Sequence, residues 1–471
     1  MSHQLNALSS TTLDGSISQN ATTRPRHGWW SLRLILVLLF VQAWRDIGGF
    51  TFRLEDLLTL SMVGWWVLTS FKGGVFRYRR SGLNLPLTIW IGVIVMAVGV
   101  SFMRPHASDV KQDALVNGIR LMLALSLFFV VNNHPLAAKR KGKIVFDTIV
   151  LTSLLTSAVA LLQIAHWAGW LPFSLPSVLT TFREGVDMER GREIFALFVG
   201  NNGAHTWSAM LAFQALTVWI LATTTRVTKW RLAGLSYFLL LSTILIRISV
   251  RNSILGLLVA IVLLSLLRAK KSRYRLNRLI MPLLILSGVA GLIGLLLFAG
   301  PEQYFVQRLV QTIPQVSEGG GLVIDSRSNI FGRLDYIVAA LKTFTRFPVF
   351  GGGFYGFRTY YFEMTGDPTI IHAHNSYVQI LAELGLIGAI AFIWVAWRIF
   401  SVLVTTGRNI GQQSLWEQRA WYLTFGVFAF IAFTAFFANP LWDPTLVSFS
   451  MISLAVMNRY FWQRDTLQRT A

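Results

Sequence analysis

The chain of 471 residues carries 42 Lys and Arg against 21 Asp and Glu, a formal charge of +21, yet only 13% of it is charged and 54% is hydrophobic. A mean hydropathy of +0.55 excludes an ordinary soluble domain, and the lack of cysteine excludes disulfides, thiol catalysis and cysteine-based metal sites. The basic excess invites a nucleic-acid reading, but most of it falls in alternate loops between apolar runs, where membrane topology accounts for it.

Residues 1–28 are polar, Ser/Thr-rich and aperiodic, which predicts a disordered cytoplasmic tail. Twelve apolar runs near the bilayer length of about 20 residues follow. They lie at 29–44, 54–71, 85–103, 119–131, 144–170, 204–223, 232–250, 253–267, 279–299, 377–397, 421–438 and 441–457. No small-residue cleavage pattern follows the first, so it reads as an uncleaved anchor. The fold class is therefore an all-α polytopic membrane protein of about 12 transmembrane helices. A membrane domain is expected over 29–460, and 461–471 reads as a second cytoplasmic tail.

The basic clusters alternate with these runs. Lys72, Arg77, Arg79 and Arg80 fall on the N-terminal side, as do Lys139 to Lys143, Arg226 to Arg231, Arg268 to Arg275 and Arg459 to Arg469. That bias places both termini in the cytoplasm. Trp29, Trp30, Trp44, Trp90, Trp170 and Trp397 sit near run ends, as interfacial anchors do.

Two external loops are long. The first, 171–203, mixes Arg183, Arg190 and Arg192 with Glu184, Asp187, Glu189 and Glu193. The second, 300–373, contains an amphipathic helix over 328–347, with Ile330, Leu334, Ile337, Leu341 and Phe344 on one face, expected on the membrane surface. Pro348 stops it, and Gly351, Gly352 and Gly353 form a tight turn leading back toward His374. A loop of this length in a compact protein is usually functional.

After it comes IIHAHNSYVQILAELGLIG, residues 370–388. Tyr377, Ile380, Leu381 and Leu384 recur with helical spacing, and Asn375 or Ser376 can cap the helix. His374 then stands at a helix mouth with Glu383 two turns inside. A lone histidine is usually structural; here the helix mouth, the external loop and the surplus arginines favour a site. His372 and His374 as zinc ligands are disfavoured, with no cysteine and only Glu363 and Asp367 close by. Glu383 reads first as a hydrogen-bond partner inside the bundle, and Gly385 and Gly388 as points of close helix packing.

Arg247, Arg251, Arg327, Arg333, Arg346 and Arg358 gather on the external side against the topological bias. Snorkelling to phospholipid headgroups suits Arg247, Arg346 and Arg358. Arg251 lies in SVRNS, a polar knot between two apolar runs, where an ionisable residue is costly and usually functional. Arg327 precedes the surface helix and Arg333 lies inside it; such arginines can grip a diphosphate by bidentate hydrogen bonds.

The stretch HAHNSYVQILAELGLIG resembles the signature of the O-antigen ligase and O-antigen polymerase family of bacterial envelope enzymes. GRLDYIVAALKTFTRFPVFGGGFYGF is similar to the same family's loop, and SVRNSILG to its arginine-bearing helix start, with Val250 where Ser usually precedes the arginine. The likeness covers roughly the C-terminal half. It implies a metal-independent glycosyltransferase without a cofactor, in the bacterial inner membrane with its site on the external face. The implied donor is a glycan on undecaprenyl diphosphate, and the implied acceptor a hydroxyl of lipid A-core or of a growing polysaccharide chain. The family's catalytic histidine corresponds to His374 and its diphosphate-binding arginines to Arg251 and Arg333, with Arg327 the alternative; Asn375 and Glu383 support the site. Ligase and polymerase remain equal readings. A lipid-glycan flippase or other polysaccharide transporter is the rival, predicting inverted repeats, broken helices and charges along a central path, whereas the charges here collect on one face.

Overall fold

The computed structural model describes residues 28–41, 44–47, 50–72, 75–76, 81–134, 138–167, 170–173, 203–247, 250–271, 315–316, 322–323, 330–367, 372–408 and 410–470. The apolar run at 279–299, Arg327, most of the loop at 171–203 and the tail up to residue 27 lie outside the described residues.

The architecture is helical. In chain order the helices are α1 Gly28–Val41, α2 Leu54–Ser70, α3 Asn84–Met103, α4 Ser108–Asn133, α5 Ala138–Trp167, α6 Gly203–Thr224 and α7 Thr228–Arg247. They continue with α8 Arg251–Lys271, α9 Ile330–Arg346, α10 Phe357–Thr365, α11 Ser376–Arg408, α12 Leu415–Thr434 and α13 Pro444–Thr470. Three short antiparallel ladders accompany them, pairing Trp44–Ile47 with Phe50–Arg53, Phe71–Lys72 with Val75–Phe76, and Gln315–Val316 with Leu322–Val323. Eleven of the twelve apolar runs thus coincide with helices. Among the described residues, seven helices are long and apolar enough to cross a membrane by length and composition: α3 to α8 and α11. α13 runs on to Thr470, through the stretch read from sequence as a tail.

Side-chain exposure explains why these helices belong in a bilayer. On α11, Ala391, Val395, Ile399 and Leu403 are buried at four-residue intervals, packed toward α3. Its opposite face presents Ile390, Ile393, Trp397 and Phe400, each more than half exposed. A helix apolar on both faces needs an apolar solvent on the second. The inner faces form one continuous core in which α13 packs on α4, α12 on α8, and α6 on α7, with Phe213 against both Phe430 and Phe449 at 5.0 Å between ring centres. Local signals set the ends. Ser414 and Glu417 form the reciprocal cap that S-x-x-E encodes: Ser414 N–H donates to Glu417 Oε2 at 2.7 Å, and Glu417 N–H to Ser414 Oγ at 3.4 Å.

A second, small cluster sits beside the main core. Ala339 and Ala340 of α9, Phe357 and Tyr361 of α10, and Ala373 and Ala382 bury one another. α10 was not foreseen from the sequence. The cluster fixes α9 by its small-residue face, while Leu334, Val338 and Leu341 point outward and stay exposed. Two of the apolar positions that define the amphipathic stripe therefore face away from the protein.

Candidate active site

His374 and Asn375 close the gap before α11. Asn375 Oδ1 accepts from the N–H groups of Tyr377 at 3.0 Å and Val378 at 3.1 Å, so Asn375 is the cap. Ser376 serves otherwise, its Oγ donating to Ala438 O at 3.2 Å and its N–H to Ala435 O at 2.8 Å. His374 takes a left-handed backbone conformation, φ 51°, which turns the chain sharply into the helix. Its half-buried ring lies 5.5 Å from that of Tyr336 on α9.

Two turns on, α11 breaks. Gly385 has φ 66° and ψ −160°, and the chain resumes its helix beyond it. The segment after α9 fills the break. Leu386 N–H donates to Pro348 O at 2.8 Å and Ile387 N–H to Val349 O at 3.3 Å, while Gly352 and Gly353 N–H donate to Ala382 O and Glu383 O at 2.8 and 3.0 Å. Backbone groups freed by the break are thereby satisfied by a loop, as burial demands. Gly351 and Gly353 have positive φ, as the predicted turn requires, but the turn docks on Glu383 rather than at His374. Gly385 and Gly388 were expected at helix–helix contacts. Gly385 instead is where the loop backbone enters, and a Cβ on Gly388 would meet Leu384 of its own helix.

The loop is held from outside as well. Phe354 N–H donates to Ala97 O at 3.1 Å, and Ser101 Oγ to Phe354 O at 2.7 Å, both on α3. His106 Nε2–H donates to Gly352 O at 2.9 Å, and burial pushes the His106 imidazole below its usual range. Tyr355 has φ 61°; its phenol is pushed up by burial and by the nearby Glu383 carboxylate.

Glu383 and Gln379 tie these parts together inside α11, both fully buried. Glu383 Oε2 accepts from Trp442 Nε1 at 2.9 Å and Oε1 from Gln379 Nε2 at 3.0 Å. Gln379 in turn reaches Ala373 N–H and the ring of His372. The Tyr355 ring packs on His372 at 5.4 Å, and Phe354 stacks on Trp442 at 6.1 Å. Burial, with His374 beside it, pushes the His372 imidazole down to about 3, so it is neutral at any physiological pH. Trp442 follows from no motif; only its tertiary contact with Glu383 marks it. Trp442→Phe keeps the ring's apolar body and removes one of the buried Glu383 carboxyl group's hydrogen-bond donors. It should destabilise the protein by about 1–3 kcal/mol, seen as a lower thermal midpoint in detergent.

The arginines divide. Arg358 pairs with Asp109 at 3.3 Å and Asp113 at 3.5 Å, and Arg346 pairs with Glu363 at 3.0 Å. Both have protein partners in place of the headgroups expected for them. Arg251 opens α8 and is half-buried. Its neighbour Asn252 donates from Nδ2 to Phe437 O at 3.1 Å, and Asn375, the neighbour of His374, donates from Nδ2 to Phe436 O at 3.3 Å. Consecutive carbonyls of one turn after α12 therefore hold the starts of α8 and α11. Ser208 and Ser253 bond at 2.8 Å, and Thr206 donates to Asp443, fixing α6 to the same end of the bundle. Arg333 lies one helical turn before Tyr336 on α9. Arg251, the backbone of Arg333 and His374 thus belong to three elements joined around one turn and one ring contact.

Residues 236–393 match the family model described as O-antigen ligase. The matched segment holds Arg251, Arg327, Arg333, His374 and Glu383, and the N-terminal half of the chain lies outside it. No curated protein matches the chain.

Proposed function

The 236–393 segment belongs to the O-antigen ligase family, and from that premise we propose that this multi-pass membrane protein transfers a glycan from undecaprenyl diphosphate to an acceptor hydroxyl on the outer face of the bacterial inner membrane. The observation that carries the reading is the pinning of Asn252 and Asn375 to consecutive carbonyls, Phe437 and Phe436. It ties a cationic helix start to a histidine at a helix mouth.

In this mechanism His374 accepts the proton of the acceptor hydroxyl. The acceptor oxygen bonds to the anomeric carbon as the bond from that carbon to the diphosphate oxygen breaks. The electron pair leaves with the diphosphate, and the imidazolium later returns its proton to water. Arg251 and Arg333, with Arg327 as the alternative in the loop, bind the diphosphate and stabilise the charge it gains. Asn375 and Glu383 hold the frame. The twelve-span topology, with both termini cytoplasmic and the 300–373 loop external, puts this end of the bundle outside. The exposed stripe of α9 suits a helix lying on the outer leaflet, beside a donor whose lipid stays in the bilayer.

The break at Gly385 is of the kind a transporter would use. Its freed groups are taken by the backbone of 348–353 rather than turned toward a path, which favours the enzyme.

Reconstituted transfer from purified lipid-linked donor tests the proposal. Arg251→Lys and Arg333→Lys keep the charge and lose the planar fork, so each should weaken transfer. Unchanged kinetics in Arg333→Lys with loss in Arg327→Lys would move the loop contact to Arg327. Silence of all three would reject the diphosphate site. Glycan identity in a deletion strain separates the two reactions: full-length lipid-linked polymer marks a ligase, a single repeat a polymerase.

A further inference from the structure

Gln379 engages its amide oxygen and both of its amide N–H groups. Its Oε1 accepts from Ala373 N–H at 3.0 Å; its Nε2 donates to Glu383 Oε1 at 3.0 Å and stands 3.2 Å from His372 Nδ1. The two outer contacts dictate which way the amide faces. Flipped, it would set N–H against the Ala373 N–H and oxygen against a carboxylate oxygen. The group facing His372 is therefore a donor, and His372 Nδ1 must be the unprotonated acceptor. A neutral imidazole has one ring proton, so His372 carries it on Nε2. The fully buried Gln379 holds the Nδ1 edge of the ring, and His372 as a residue is half-buried.

This tautomer gives His372 a definite chemistry. Its lone pair is already engaged, so it is unavailable as a base, while Nε2–H is a donor with no charge to desolvate. Of the reacting groups, the leaving diphosphate oxygen is the one that gains negative charge. We propose that His372 is a hydrogen-bond donor to substrate, giving its Nε2–H to a diphosphate oxygen of the leaving group while the neighbouring His374 takes the acceptor's proton. The assignment rests on transfer from a polyprenyl diphosphate as the reaction. Burial keeps the ring neutral, as a bare Nδ1 facing the Gln379 N–H requires.

Side-chain isosteres test it. His372→Gln puts an amide N–H near the place of Nε2, whereas His372→Asn reaches only as far as Nδ1. Transfer should stay within about tenfold of wild type in His372→Gln and fall by about 10²–10³-fold in His372→Asn and His372→Ala. Binding of undecaprenyl diphosphate alone should weaken in His372→Ala and recover in His372→Gln. Nitrogen NMR of histidine-labelled protein should show His372 with Nδ1 bare and Nε2 protonated, and Gln379→Leu should populate the other tautomer. A protonated Nδ1 in the wild type, or His372→Gln as inactive as His372→Ala, overturns the assignment. So does lipid diphosphate binding that ignores His372. A wild-type protein that binds the lipid diphosphate through His372 yet transfers no glycan would support the donor and reject the transferase reading.

Discussion

His374→Ala should lower glycan transfer by about 10²–10⁴-fold, the usual contribution of a general base, while the protein still folds and binds the lipid-linked donor. Folding should survive because the helix cap belongs to Asn375, whose Oδ1 serves Tyr377 and Val378 independently of the imidazole. The ring's contact with Tyr336 at 5.5 Å is a packing contact at a half-buried position. Transfer and donor binding are measured separately on reconstituted protein. His374→Gln should be no better than alanine, since an amide cannot take a proton; His372→Gln should differ from it in the way argued above. Near-normal turnover in His374→Ala would remove the base and leave the arginines acting on an acceptor that needs no deprotonation.

Gly385→Ala should be strongly disruptive. At φ 66° and ψ −160°, a backbone region open essentially to glycine alone, a Cβ costs about 1–3 kcal/mol in itself. Here it would also overlap the Val349 carbonyl and lie 2.6 Å from Gly351 N, where backbone rather than a flexible side chain must yield. The combined cost should be about 3 kcal/mol or more. It falls on the docking of the 347–356 segment, so early proteolysis there and loss of transfer should accompany a lower thermal midpoint. Gly366→Ala is the control: φ is 72°, but a Cβ there meets nothing within 4 Å, and the cost should stay near 1–2 kcal/mol. Equal effects at the two positions would mean that the loop is not seated in the break.

Much of this protein is written locally. Helices recur because apolar runs of bilayer length must satisfy their own backbone groups, and that requirement is visible in the sequence without any partner. The same holds for the cap at Asn375, the stop at Pro348, the glycine turn and the Ser414–Glu417 cap, each set by residues within a few positions of one another. The family resemblance was also local, since its signature lies in one unbroken stretch that the 236–393 match contains.

What the tertiary structure decided are contacts between residues far apart in the chain, for which periodicity carries no signal. Gly385 read as a packing glycine because a helical pattern continues through it; only the arrival of Pro348 and Val349 carbonyls makes it a break. Arg358 read as a headgroup ligand because Asp109 and Asp113 lie some 250 positions earlier. Trp442 is one of 17 tryptophans until its indole N–H meets Glu383. The tautomer of His372 needed the most context, because the proton on one ring nitrogen is set by an amide whose own direction is fixed by a backbone N–H and a buried carboxylate. Sequence determines which groups can donate or accept; the fold decides which of them meet.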